Sequence, residues 1–223
     1  MVNDHNIRLG FLASHNGSTM QAIVDACISN LIKADPVVLI SNNSSSGAIT
    51  RARQMNIPFY HLSSGTHPNF EDLDKAITNT LKKYSVDLVL LTGYMKKIGS
   101  YTLDNFKNRI LNSHPSLLPK HGGTGMYGRE IHKKVLESGD ITTGATIHFV
   151  ESNYDSGQII QQIKIPVSSS DSIDTLEEKV KFQEKRLYID SINKILNKFV
   201  LFKVWHIPIQ SLQNKLPATS CKS

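Results

Sequence analysis

The chain has 223 residues, of which 39% are hydrophobic, 20% charged and 7% aromatic; that is enough for one elaborated core and short for two. The balance excludes a largely disordered protein. Lys and Arg outnumber Asp and Glu by 25 to 19, a net charge of +6 that suits small anions or nucleic acid. The basic residues gather no further than pairs such as Lys82-Lys83, Lys96-Lys97 and Lys133-Lys134, so no basic stripe marks a nucleic-acid face.

After Met1-Val2 the residues are polar as far as His5, without the regions of a secretory leader. Residues 7–12 are a short apolar run ending at Ser14-His15-Asn16-Gly17. From Ser18 the spacing becomes helical, with Met20, Ile23, Val24, Cys27 and Ile28 on one face. A buried strand over 36–40 is closed by the turn-rich segment 41–47. A polar helix through Arg51 and Met55 leads to a strand over 57–62, and 70–84 predicts a third helix with Leu73, Ile77 and Leu81 inward. Residues 87–92 are hydrophobic on both faces, as a central parallel strand requires. The longest apolar runs, 37–40 and 88–91, are too short to span a bilayer.

After a short helical piece, 109–112 reads as a strand, and 143–150 and 158–167 as a later strand pair. Asp171 is placed to cap a long helix whose inner stripe is Ile173, Leu176, Val180, Leu187, Ile192, Ile195 and Phe199. Residues 201–205 read as a last short strand, and 207–223 as a loose tail. No repeat or linker divides the chain, so a single domain over 5–200 is expected. Cys27 and Cys221 are the only cysteines, which leaves no disulfide framework or CxxC site; a soluble cytoplasmic protein is the class implied.

This alternation implies an α/β fold: an open, mostly parallel twisted sheet with helices on both faces and an antiparallel addition near the C-terminus. Ligands of such sheets bind beyond the carboxyl ends of the strands. Those ends carry residues 14–19, 93–95, 112–114 and 151–155.

Gly17, Ser18 and Thr19 lie where a strand gives way to a helix, and the free N–H groups there suit a phosphate; Ser18 reads equally as a plain N-cap. Asn112 and His114, two apart in a strand, project to the same side. An amide and an imidazole together can stabilise an oxyanion, although both are also ordinary turn residues. Asp155 in a polar loop is a candidate partner for His114, and Asp-Ser-Gly is also common turn chemistry. Gly123 to Gly128 spells GxGxxG, but Pro115 and Pro119 separate it from the strand upstream, which disfavours a dinucleotide loop. The nine histidines show no metal-ligand spacing, so no metal is expected.

Asn112-Ser113-His114-Pro115-Ser116-Leu117-Leu118-Pro119-Lys120, followed by residues 144–150 and by Tyr154-Asp155-Ser156-Gly157, resembles the folate-dependent formyltransferase family over about 7–199. The Asn16-Gly17-Ser18-Thr19 loop resembles the ribosyl-phosphate cradle of the branch that formylates phosphoribosylglycinamide in purine synthesis. The resemblance implies a Rossmann-like fold and transfer of a formyl group from 10-formyltetrahydrofolate to the amine of 5'-phosphoribosylglycinamide. It implies Asn112, His114 and Asp155 as catalytic residues, with Gly17, Ser18 and Thr19 on the phosphate and Glu184 on the glycinamide substrate. Met95, Lys96, Lys97, Ile98, Asn112 and Val150 match the folate-binding positions, with Lys96 where relatives often have arginine. Phe70 falls where some relatives place a folate-contacting arginine. Residues 121–128 read as a flap over the substrate, and the Leu118–Pro119 bond as a candidate cis peptide. The resemblance further implies small-molecule partners, a monomer or homodimer, and no nucleic acid or membrane. Related hydrolases usually carry an extra N-terminal domain, and methionyl-tRNA formyltransferases a C-terminal one, for which this chain leaves no room. Hydrolysis of formyltetrahydrofolate, or formylation of another amine, is the alternative; a basic nucleic-acid-binding module is remote.

Overall fold

The apolar runs that lack alternation become central strands, because both of their faces are covered. A computed structural model describes residues 6–205, with side chains as far as 197. In chain order the elements are β1 (Ile7–Ala13), α1 (Ser18–Ile28), β2 (Ala34–Ser41), α2 (Gly47–Gln54), β3 (Phe59–His61), α3 (Phe70–Lys83) and β4 (Leu88–Leu91). They continue with α4 (Ser100–Asn105), β5 (Ile110–His114), α5 (Arg129–Glu137), β6 (Thr142–Phe149), β7 (Ile159–Pro166) and α6 (Ile173–Trp205). The seven strands form one sheet in the order β3-β2-β1-β4-β5-β6-β7. Strands β1 to β5 run parallel, and β6 and β7 are each antiparallel to the strand before. The open sheet with an antiparallel C-terminal addition is thus present.

Chain order reverses between β1 and β4, and an open α/β sheet parts there to receive ligands. One apolar layer packs α1, α2, α5 and α6 against Leu9, Phe11, Leu90, Leu111 and Ile147. The other packs α3 against Leu12, Ile40, Val89, Leu91 and Ile110. Gly10 permits the close approach of α3, since a Cβ there would lie 2.9 Å from Leu81 and Val86.

Four local expectations need correction. Ile28 is 71% exposed and Ala26 is buried in its place; α1 ends at Ile28, so its last residue turns away from the sheet. Residues 201–205 continue α6 instead of forming a strand. Their large apolar side chains suggested β structure, but no Gly or Pro interrupts the helix before them. Ser172 rather than Asp171 caps α6: Ser172 Oγ accepts from Thr175 N at 3.2 Å, and Thr175 Oγ1 from Ser172 N at 2.9 Å. Asp171 instead accepts Ser168 N and Lys179 Nζ. The inner stripe of α6 also holds Tyr188, fully buried. Ile173 is only half-buried, and the Phe199 side chain and the tail over 207–223 lie outside the described residues. No helix among the described residues is long and apolar enough to cross a membrane.

Candidate active site

Register aligns the site across the sheet. Leu12 of β1 pairs with Leu91 of β4, Leu91 with Asn112 of β5, and Asn112 with His148 of β6. Strands sit about 4.8 Å apart, so Asn112 lies roughly 10 Å from the end of β1. Alternation along β5 sends Asn112 and His114 to the side of Ile110, and Ser113 to the side of Leu111. The two sides of the sheet therefore contribute different halves of the site.

On the first side the expected trio converges, together with a residue that sequence reading missed. His114 Nδ1 lies 3.4 Å from Asp155 Oδ2, and His148 Nε2 lies 3.6 Å from Asp155 Oδ1. Asn112 Nδ2 is 3.2 Å from His148 Nε2. His114 and His148 are almost wholly buried, at 4% and 2% exposure. Burial pushes the His148 imidazole below its ordinary pKa, only partly opposed by the Phe149 carbonyl and Asp155. His148 Nδ1 donates to Phe149 O at 2.8 Å, which leaves Nε2 as the acceptor of the neutral ring. His114 Nε2 donates to the His121 carbonyl at 2.8 Å. The available signal for His148 was its parity with Thr146 on a strand facing Asn112, which only the antiparallel register makes legible.

Asp155 has φ +52, a left-handed turn position that Asp tolerates well. Its Oδ2 also accepts Gly123 N at 3.0 Å, which ties the glycine-rich segment to the cluster. That segment is separated from β5 by eight residues and a cis Leu118–Pro119 bond, so it lacks the strand–turn–helix geometry of a nucleotide loop. Met126 packs partly into the core instead.

A cleft opens beside the cluster, lined by Tyr94, Lys96, Lys97, Ile98, Asn112 and Val150 among others. Five of the six expected folate positions line it. Met95 flanks the cleft at 40% exposure, with its N–H donated to Ser14 Oγ at 2.8 Å. Ser14, which the sequence reading left without a role, also binds Gly93 O and Asn42 and so fastens the ends of β1, β2 and β4. Phe70 lines a separate acidic hollow with Glu71, Asp74 and Asp104, away from this cleft.

On the other side of the sheet, the first turn of α1 has Gly17 as N-cap at φ +73 and no side-chain cap. Ser18 is therefore the first helical residue and not the cap. A Cβ on Gly17 would meet Ala48 Cα at 2.7 Å, so glycine is required where α1 and α2 begin side by side. Arg51 donates through Nε to Asn16 O at 3.0 Å and through Nη2 to Asn16 Oδ1 at 3.3 Å, which sets a guanidinium beside this turn. Glu184, on α6, accepts Ser113 Oγ at 2.5 Å. Burial raises its carboxyl pKa, with Ser113 opposing. One turn on, Tyr188 Oη shares its proton between Leu111 O at 2.9 Å and Leu91 O at 3.3 Å, locking α6 over the end of β4 and the start of β5. Among the described residues no group of three or more His, Cys, Asp or Glu side chains is arranged to hold a metal.

An N-terminal helix turn without a side-chain cap, a buried carboxyl and a polar cluster with a cleft thus line the neighbouring carboxyl ends of β1, β4 and β5. The formyl transferase family model matches residues 7–192. The chain is 35% identical to the chloroplastic phosphoribosylglycinamide formyltransferase of Arabidopsis thaliana over 93% of this chain and 71% of that protein. It is 38% identical to phosphoribosylglycinamide formyltransferase of Haemophilus influenzae over 81% of this chain and 83% of that one. Glycinamide ribonucleotide transformylase 1 of Symbiobacterium toebii superposes with a TM-score of 0.80 at 36% identity, covering 86% and 88% of the two chains. A formyltetrahydrofolate deformylase at 22% identity shares the fold. The chain belongs to the formyl transferase family, with phosphoribosylglycinamide formyltransferases as its relatives.

Proposed function

We propose that this protein transfers the formyl group of 10-formyltetrahydrofolate to the amine of 5'-phosphoribosylglycinamide. The observation that carries the reading is the two-sided site. The Asn112–His148–Asp155–His114 cluster stands at the end of β5, with an apolar-edged cleft on one side and an anion-suited helix N-terminus on the other. Two substrates entering from opposite sides then meet at the cluster.

The substrate phosphate sits on Gly17, Ser18 and Thr19, where backbone N–H groups and the helix dipole favour an anion, and Arg51 adds a nearby positive charge. Glu184 holds the glycinamide portion. The folate ring enters between Ile98 and Val150, with Met95, Lys96 and Lys97 along its edge. Remote phosphate binding orients the amine toward the formyl carbon.

The neutral amine attacks that carbon and forms a tetrahedral oxyanion. Asn112 gives one N–H to His148 and the other to the oxyanion, and His114, carrying both ring protons in this step, gives its Nδ1–H while Nε2–H stays on the His121 carbonyl. Donors of this kind are worth about 2.7–4 kcal/mol each. The amine proton passes by way of Asp155 toward the folate nitrogen, the carbon–nitrogen bond to folate breaks, and formylated product and tetrahydrofolate leave. Incubating purified protein with 10-formyltetrahydrofolate, with and without phosphoribosylglycinamide, tests this through folate absorbance. Turnover that needs the amine supports transfer; equal turnover without it replaces transfer by hydrolysis.

A further inference from the structure

Two side chains outside this machinery meet behind His114. Asp140, in the turn between α5 and β6, accepts Lys120 Nζ at 2.5 Å on Oδ1 and His121 Nε2 at 2.8 Å on Oδ2. The Asp140 and His121 side chains are only 12% and 13% exposed, so theirs is not an ordinary solvated surface pair. His121 takes φ +55, a left-handed conformation that a non-glycine residue holds only when its surroundings fix it. In that conformation its carbonyl accepts His114 Nε2–H at 2.8 Å. Ser116 Oγ also donates to the Lys120 carbonyl, at 2.6 Å. One carboxylate therefore grips both residues of the turn whose backbone holds the imidazole.

We infer that Asp140 is a positioning residue for His114: by clamping the Lys120–His121 turn it keeps the His121 carbonyl on Nε2–H, and so selects the neutral tautomer protonated on Nε2, leaving Nδ1 beside Asp155 to gain and lose a proton. An imidazole that commits one nitrogen to a carbonyl must carry its proton there when neutral. Proton exchange is then confined to the other nitrogen, which lies beside Asp155. With the turn released, the ring loses its anchor and the Nδ1–H form toward Asp155 competes. The effect on turnover rests on the proposed transferase reading; the effect on the tautomer does not.

Nitrogen-15 NMR of the imidazoles, together with steady-state kinetics, tests the inference. The wild-type protein is expected to show His114 protonated on Nε2, whereas Asp140→Asn and His121→Phe show a mixed or Nδ1-protonated ring. In both variants kcat falls roughly 10- to 100-fold, as expected for a small displacement of a reacting group, while KM for both substrates stays within a few-fold. His121→Gln keeps an N–H donor for Asp140 and restores both the tautomer and most of kcat. An unchanged His114 signature in Asp140→Asn and His121→Phe overturns the inference, as does a His121→Gln variant as impaired as His121→Phe. If Asp140→Asn does not fold, the two His121 variants decide alone. A wild-type protein without transferase activity removes the proposed function and leaves the tautomer comparison to decide this one.

Discussion

Asn112 Nδ2 meets His148 Nε2 at 3.2 Å across the β5–β6 pair, and this contact sets which end of the carboxamide faces the cleft. The other nitrogen of His148 is committed to Phe149 O. A neutral His148 can then only accept at Nε2, so Asn112 must offer its NH2 group and keep one N–H for an incoming oxygen. A buried histidine thus fixes the polarity of the amide.

Removing that acceptor should cost rate and spare binding. His148→Ala is expected to lower kcat roughly 10- to 100-fold, less than outright loss of an oxyanion donor. Steady-state kinetics should find KM for the phosphate substrate within a few-fold. Burial holds the His148 pKa below its usual 6.5, so the unfolded chain binds that proton first as pH falls. Stability from this group is therefore complete above about 6.5 and declines as pH drops toward the lowered folded value. Protonation in the folded enzyme turns Nε2 into a donor and ends the Asn112 contact, so kcat falls as pH drops through the lowered folded value, below 6.5. An acid limb of the kcat profile unaltered in His148→Gln would remove His148 from this role.

Asp155 offers a clean test of the carboxylate, because Asn also tolerates the left-handed φ of +52. Asp155→Asn keeps the turn and removes the charge beside His114. Turnover is expected to vanish in Asp155→Asn and in His114→Ala, while calorimetry finds phosphoribosylglycinamide bound within a few-fold of wild type. Single-turnover chemistry that survives in either variant would contradict the assignment.

The strands and most helices were legible because their periodicities are clean: residues 88–91 are apolar on both faces, and Leu73, Ile77 and Leu81 recur at helical spacing. The trio was legible from its motif, since Asn112 and His114 share strand parity and Asp155 belongs to a recognisable turn. His148 was not, because its relevance depends on β6 running antiparallel to β5 in the register that pairs Asn112 with His148. Asp140 and Arg51 escaped notice for a similar reason: their partners, His121 and Asn16, are 19 and 35 residues away. The stretch 201–205 misled because local side-chain preference suggested a strand, while an unbroken helix upstream carries the chain on.

The two residues that open α1 should separate binding from folding. Ser18 Oγ makes no hydrogen bond to the described residues, so Ser18→Ala is expected to leave the thermal midpoint nearly unchanged and raise KM for the phosphate substrate several-fold. Gly17→Ala combines φ +73 with a Cβ 2.7 Å from Ala48 Cα. It is expected to destabilise the fold by roughly 1–3 kcal/mol, read by urea denaturation. An unchanged KM in Ser18→Ala would count against the phosphate cradle.

Glu184 reverses the pH logic of His148. Burial raises its folded pKa above the usual 4.5, with the Ser113 hydroxyl only partly offsetting the cost of the charge. The folded state therefore holds this proton more tightly than the unfolded chain. Its stabilising contribution is complete below about 4.5 and is lost as pH rises through the raised value. Glutamine in its place keeps an oxygen for Ser113 Oγ and never ionises. Glu184→Gln is thus expected to be more stable than wild type at pH 8, by roughly 1 kcal/mol, with the gain shrinking toward pH 4.5. If the charge serves the glycinamide portion of the substrate, the same variant binds phosphoribosylglycinamide more weakly, a stability gain opposed to function. Denaturant melts at the two pH values check the sign, and a variant less stable than wild type at pH 8 would show that the folded protein gains more from the charge than burial takes away.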